Sequence, residues 1–126
     1  MKSLLMSIVF SLLSHSAFAG KRTYDLHLSF HQDEFVDVLV LETQGLQVKG
    51  EMHVPNDFSG PLLNILKFGG QISFDLFVPR NHSRMKDMVF EYRGFYSDSS
   101  EKKLIGIVRM KGTPETIATF VAFEQP

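Results

Sequence analysis

Cysteine and tryptophan are both absent from the 126 residues. Without cysteine no disulfide can close a loop and no sulfur can carry a lipid at the amino terminus, so the fold rests on packing alone. An excess of charge of one sign is missing too: 13 Lys and Arg stand against 14 Asp and Glu. That balance removes the electrostatic basis for nucleic-acid binding. Long apolar runs are also lacking. The longest, Leu4 to Leu13, is interrupted by Ser7 and Ser11, and it falls well short of the roughly 20 residues that a helix needs to cross a bilayer.

What is present at the amino terminus is a three-part export signal. Lys2 supplies an orienting charge, Leu4 to Leu13 an apolar stretch, and Ala17-Phe18-Ala19 the small residues that fit a signal peptidase pocket. Residues 1 to 19 are therefore expected to be removed, with cleavage before Gly20 and no stable membrane span afterwards. The signal is of bacterial type, which places the mature chain in the periplasm or the medium. Residues 20 to 126 suffice for one domain with its own core. With Lys2 gone, 12 basic residues face 14 acidic ones, a net charge of −2.

Apolar residues in this mature part recur with a period of two, interrupted by turn residues at short intervals. Tyr24, Leu26, Leu28 and Phe30 alternate with polar neighbours, as do Leu46, Val48, Met52 and Val54, and then Ile72, Phe74, Leu76 and Val78. Phe35 to Thr43 is nearly all apolar. Gln44-Gly45 and Gly69-Gly70 read as hairpin turns, and Pro55 to Pro61 as a loop. With strands at about 62 to 68, 87 to 97, 103 to 111 and 116 to 124, the count is eight. An all-β antiparallel meander follows, closed into a small barrel or, alternatively, folded into a sandwich, since either hides the exposed edges.

An antiparallel hairpin keeps the sum of paired residue numbers constant, so a turn centred on Ser100 pairs residues that add to 200. Glu91 then meets Arg109, Phe95 meets Ile105, and Gly94 falls opposite Gly106. Paired strand glycines mark a sharp bend or a seat for another group. The same register puts Val89, Phe95, Ile105 and Ile107 on one face and Phe90, Tyr92 and Tyr96 on the other. Pairing the last two strands through Thr113-Pro114 adds Phe120 to the first set. Val89, Phe95, Ile105, Ile107 and Phe120 are thus the candidate partner face, while Phe74, Phe90, Tyr92, Gly94 and Gly106 are the candidate barrel lining.

Reactive constellations are scarce. His27 and His31 lie ~13 Å apart along an extended strand at about 3.3 Å per residue, too far to share one ion. His53 belongs to another strand and His82 to a loop, so no metal and no cofactor are expected. No Gly-x-Ser-x-Gly elbow is present, and the chain is read as a non-enzyme. The cluster Asp33, Glu34 and Asp37 lacks the ligand alternation of a calcium loop and reads as a solvated turn. Arg80, Arg84 and Lys86 gather positive charge in one loop as a candidate anion grip. Within it, Asn81-His82-Ser83 matches a glycosylation acceptor that a bacterial chain would not use.

Segments from Gly50 onward resemble a small lipocalin-like (calycin-like) barrel module of exported bacterial proteins. The residues that carry the resemblance are Gly50-Glu51-Met52-His53-Val54-Pro55, Pro61-Leu62-Leu63-Asn64-Ile65, Ile72-Ser73-Phe74, Phe90-Glu91-Tyr92-Arg93-Gly94, Leu104-Ile105-Gly106 and Ala118-Thr119-Phe120-Val121-Ala122-Phe123. The lipocalin Gly-x-Trp signature is absent. The resemblance implies a small antiparallel barrel and no catalytic residues. Two functions are therefore expected to compete. One is a binding module that holds a small apolar or amphipathic ligand in or at the mouth of the barrel. The other is an interaction module that docks an envelope protein, or a second copy of itself as a homo-oligomer, through the apolar outer face.

Overall fold

The computed structural model describes residues 20–79 and 87–126. Every regular element among them is a strand: β1 (Gly20–Phe30), β2 (Asp33–Gln44), β3 (Gln47–Val54), β4 (Phe58–Phe68), β5 (Gln71–Val78), β6 (Met88–Tyr96), β7 (Lys103–Met110) and β8 (Thr116–Glu124). Each pairs antiparallel with its sequence neighbours, and β1 pairs with β8 from Tyr24↔Glu124 to Ser29↔Thr119, so the meander closes into a barrel. The sandwich alternative is not adopted. Closure gives every strand a neighbour on both sides over part of its length, which hides most of the edge that an open eight-strand meander would expose.

Alternation places one row of each strand inside. Tyr24, Leu26, Leu39, Met52, Phe74, Leu76, Leu104 and Phe120 are almost fully buried. Phe74 stacks on Tyr92 with centroids 4.9 Å apart, and Tyr92 leans on Phe120 at 5.6 Å. These rings lie across the middle of the barrel and fill it, as an eight-strand interior permits.

Strand β4 is longer than its sequence suggests. Pro55 to Asp57 alone make the turn, while Phe58 to Pro61 already pair with β3, up to Glu51↔Pro61. The missing N–H of Pro61 is tolerated because that pair ends the ladder. From Leu62 onward β4 pairs with β5 instead, through a bulge between Leu63 and Leu66 where Asn64 adopts φ 53°.

The β6–β7 register has the predicted sum, with Gly94↔Gly106, Glu91↔Arg109 and Phe95↔Ile105. The β7–β8 register departs from expectation by one residue. Arg109 pairs with Thr116 but Val108 pairs with Ala118, so Ile117 is an extra residue in the ladder. A one-residue slip exchanges the two faces of a strand. Phe120 is consequently turned inward and is 1% exposed, a correction to its placement on the partner face.

Its ring lies over the glycine pair. A Cβ on Gly106 would come within 2.0 Å of the Arg93 carbonyl oxygen and 2.7 Å of the Phe120 ring, and one on Gly94 would meet Leu104 at 2.9 Å. The glycines therefore make room for the Phe120 ring.

Candidate functional site

With the interior filled, the accessible apolar chemistry lies outside, on β4 to β8. Cross-strand pairing aligns outward side chains in rows. One row runs Phe68, Gln71, Phe95, Ile105, Val121, and the next runs Leu66, Ser73, Arg93, Ile107, Thr119. Phe68 is 88% exposed, Leu66 70%, Phe95 57% and Ile105 45%. Leu66 and Phe68 flank a groove of about 900 Å³ whose far wall includes Phe95, Ile105 and Ile107. A contiguous apolar surface of this kind is uncommon on a lone soluble domain.

Below these rows lies a charged one, Asp75, Glu91 and Arg109. Glu91 accepts hydrogen bonds from Arg109, whose Nε is at 3.2 Å, and sits 3.3 Å from Arg93 Nε and 3.7 Å from Lys111 Nζ. The Arg109 bonds, with three cations nearby, hold the Glu91 carboxyl below its ordinary pKa. Asp75, only 3% exposed, accepts bonds from Asn64 Nδ2 at 2.8 Å and Lys111 Nζ at 2.9 Å. That second bond raises the Lys111 pKa. The charged row is thus paired within itself, while Arg93 keeps about half of its side chain in solvent.

The residues singled out from sequence are distributed as follows. Val89, Phe95, Ile105 and Ile107 point outward on β6 and β7, whereas Phe120 points inward. Phe74, Phe90, Tyr92, Gly94 and Gly106 lie on the inner face. Arg80, Arg84 and Lys86, like Asn81 to Ser83 and residues 1 to 19, lie outside the described residues. His27 sits outside on β1, 3.5 Å from Glu34, and His53 bonds Ser59 at 2.7 Å. Among the described residues no group of three or more His, Asp or Glu is placed to hold a metal ion.

Three residues were missed. Leu66 and Phe68 owe their exposure to the β4 bulge, and the only trace of it in the sequence is the lack of alternation from Leu62 to Phe68. Asp37 is the third. Asp33 and Glu34 are exposed as expected but open strand β2 and do not form the turn, and Asp37 pairs with Leu26 on the inner face and is 5% exposed. Burial, and then the nearby Asp57 carboxylate, raise its pKa to about 6. The even spacing of Asp37 with Leu39 and Leu41 was the available signal.

One end of the barrel carries a smaller pocket of about 220 Å³ between Leu41, Val48 and Ile72 on one side and Arg22, Lys67 and Tyr96 on the other. The β6–β7 loop is fastened across this mouth. Tyr24 donates to the Glu101 carbonyl at 2.8 Å, Lys67 pairs with the Glu101 carboxylate at 2.8 Å, and Arg22 donates to the Ser100 carbonyl at 2.6 Å.

Fold and surface together define a closed eight-stranded up-and-down β-barrel with a filled lumen and an apolar outer groove, a shape like that of lipocalin-like barrels in general outline. Compared with protein-family models, curated proteins and solved structures, the chain matches none.

Proposed function

We propose that this protein is a non-catalytic binding module that docks a partner protein through the outer face of β4 to β7. The observation that carries this reading is the exposed groove lined by Leu66, Phe68, Phe95 and Ile105 over an interior already filled by Phe74, Tyr92 and Phe120. Leaving such side chains in water forgoes ~25 cal/mol for each Å² of apolar area, which a partner would recover. The paired charges of Glu91, Arg109, Asp75 and Lys111 supply a polar rim around an apolar centre, the usual anatomy of a protein interface. The amino-terminal signal supports placing this activity in the periplasm or the medium. The quoted segments from Gly50 to Phe123, together with the barrel outline, support kinship with the small lipocalin-like modules.

A photo-reactive phenylalanine analogue at Phe68, in the cells that make the protein, tests the reading. Discrete cross-linked adducts are expected from that site and none from Val36, which is exposed on β2. Absence of adducts from Phe68 would remove the docking function.

A second reading places a small amphipathic ligand in the mouth pocket, where the apolar Leu41, Val48 and Ile72 meet Arg22 and Lys67. Native mass spectrometry of the protein taken from its own envelope would then show a retained mass, lost in Ile72→Trp.

A further inference from the structure

We infer that the docking partner is a second copy of this chain, packed face to face on the outer rows of β4 to β7 across a two-fold axis. The inference rests on the docking reading above and specifies its occupant. What the outer rows of β4 to β7 offer a partner is side chains, Leu66, Phe68, Phe95 and Ile105 being the exposed apolar ones. The face therefore has to be complementary in shape and charge to whatever covers it.

It is complementary to itself. In a two-fold interface the same patch serves both copies, and each row must match a neighbouring row of the same patch. A two-fold axis lying across the strands, between the Phe68 row and the Leu66 row, sets each of these rows on the other. Phe68 then meets Leu66 of the second copy and Ile105 meets Ile107, apolar on apolar at both positions. Gln71 meets Ser73, polar on polar. Phe95 meets Arg93, which places the one half-exposed guanidinium of the face over an exposed aromatic ring, a favourable cation–π contact. The ridge of Leu66 and Phe68 on one copy thus meets the same ridge on the other, the Phe95 and Ile105 wall meets its counterpart, and the two grooves close on each other.

Charge argues the same way. The carboxylates beside the patch, Glu91 and Asp75, already have Arg109 and Lys111 as partners. Arg93, the charge each copy brings to the centre, keeps Glu91 at 3.3 Å as its counter-charge, and the other paired charges fall at the rim, where water reaches them.

Sedimentation velocity of the purified protein from about 1 to about 200 µM is the test, because dimer population must follow mass action. A concentration-dependent shift from monomer to dimer is expected, with Phe95→Asp and, separately, Phe68→Asp moving the transition at least about tenfold upward. Phe68 stands at a hairpin tip, so that variant retains its fold even if Phe95→Asp does not, as circular dichroism will show. Because the chain has no cysteine, Leu66→Cys and Phe68→Cys copies can be mixed under a mild oxidant. The disulfide dimer should form faster in the mixture than in either copy alone. A monomer at every concentration, or a dimer indifferent to both Asp variants, overturns the inference. If the protein is monomeric while Phe68 cross-links to a different protein in cells, self-association fails and the docking reading stands.

Discussion

At the scale of single residues, Asp37 is a buried carboxyl that works against the barrel when ionised. A carboxylate on the inner face, with Asp57 as its neighbouring charge, favours the protonated form, and its pKa rises to about 6. Between the ordinary carboxylate range and pH 6 the folded chain then holds a proton that the unfolded chain has lost. Stability from this group is fully present below that window and declines as pH rises through it. Asp37→Asn abolishes the titration. The variant should be more stable than the parent by about 1 to 2 kcal/mol at pH 7.5, with the shift discounted for solvent near the turn. At pH 3.5 the two should melt together. Equal shifts in thermal midpoint at both pH values would show that the carboxylate charge is not the cause. The even spacing with Leu39 and Leu41 is the one sequence mark of Asp37, and it is masked by the exposed acids Asp33 and Glu34 at the start of the same strand; closure of the barrel assigns Asp37 to the inside.

At the scale of elements, register decides which chemistry faces outward. The β6–β7 pairing was legible because three independent features agree on one sum: opposite charges at Glu91 and Arg109, apolar partners at Phe95 and Ile105, and two glycines facing each other. The β7–β8 pairing was not legible, since an extra residue at Ile117 costs the ladder little and leaves no mark in composition. The same is true of the β4 bulge that turns Leu66 and Phe68 outward, so half of the candidate groove stayed hidden. That bulge hinges on Asn64, which holds φ 53° and donates from its side chain to the buried Asp75. The two roles are separable. Asn64→Gly keeps the backbone geometry and loses the bond; Asn64→Ala loses both. Urea denaturation should rank parent above Gly above Ala, with Ala lower than the parent by about 2 to 3 kcal/mol. If Ala proves no worse than Gly, the left-handed backbone is not what the site requires of Asn64.

At the scale of the whole molecule, the docking proposal makes the barrel a scaffold and its outer face the binding surface, and interior and face are carried by different residues of the same strands. Phe120 and Phe95 make the separation measurable, since one is buried against Tyr92 and the glycine pair while the other stands in solvent. Phe120→Leu removes ring contacts from a filled core, which costs about 1 to 3 kcal/mol and lowers the thermal midpoint accordingly. Because the outward rows keep their backbone, self-association measured below that midpoint should be unchanged. Phe95→Asp should do the reverse, leaving the midpoint of the isolated monomer within about 0.5 kcal/mol of the parent while weakening the dimer. A core variant that dissociated the dimer as effectively as the surface one would mean that the face exists only as an extension of interior packing. The groove would then be a consequence of how the barrel bends at Gly94 and Gly106, with no separate role in recognition.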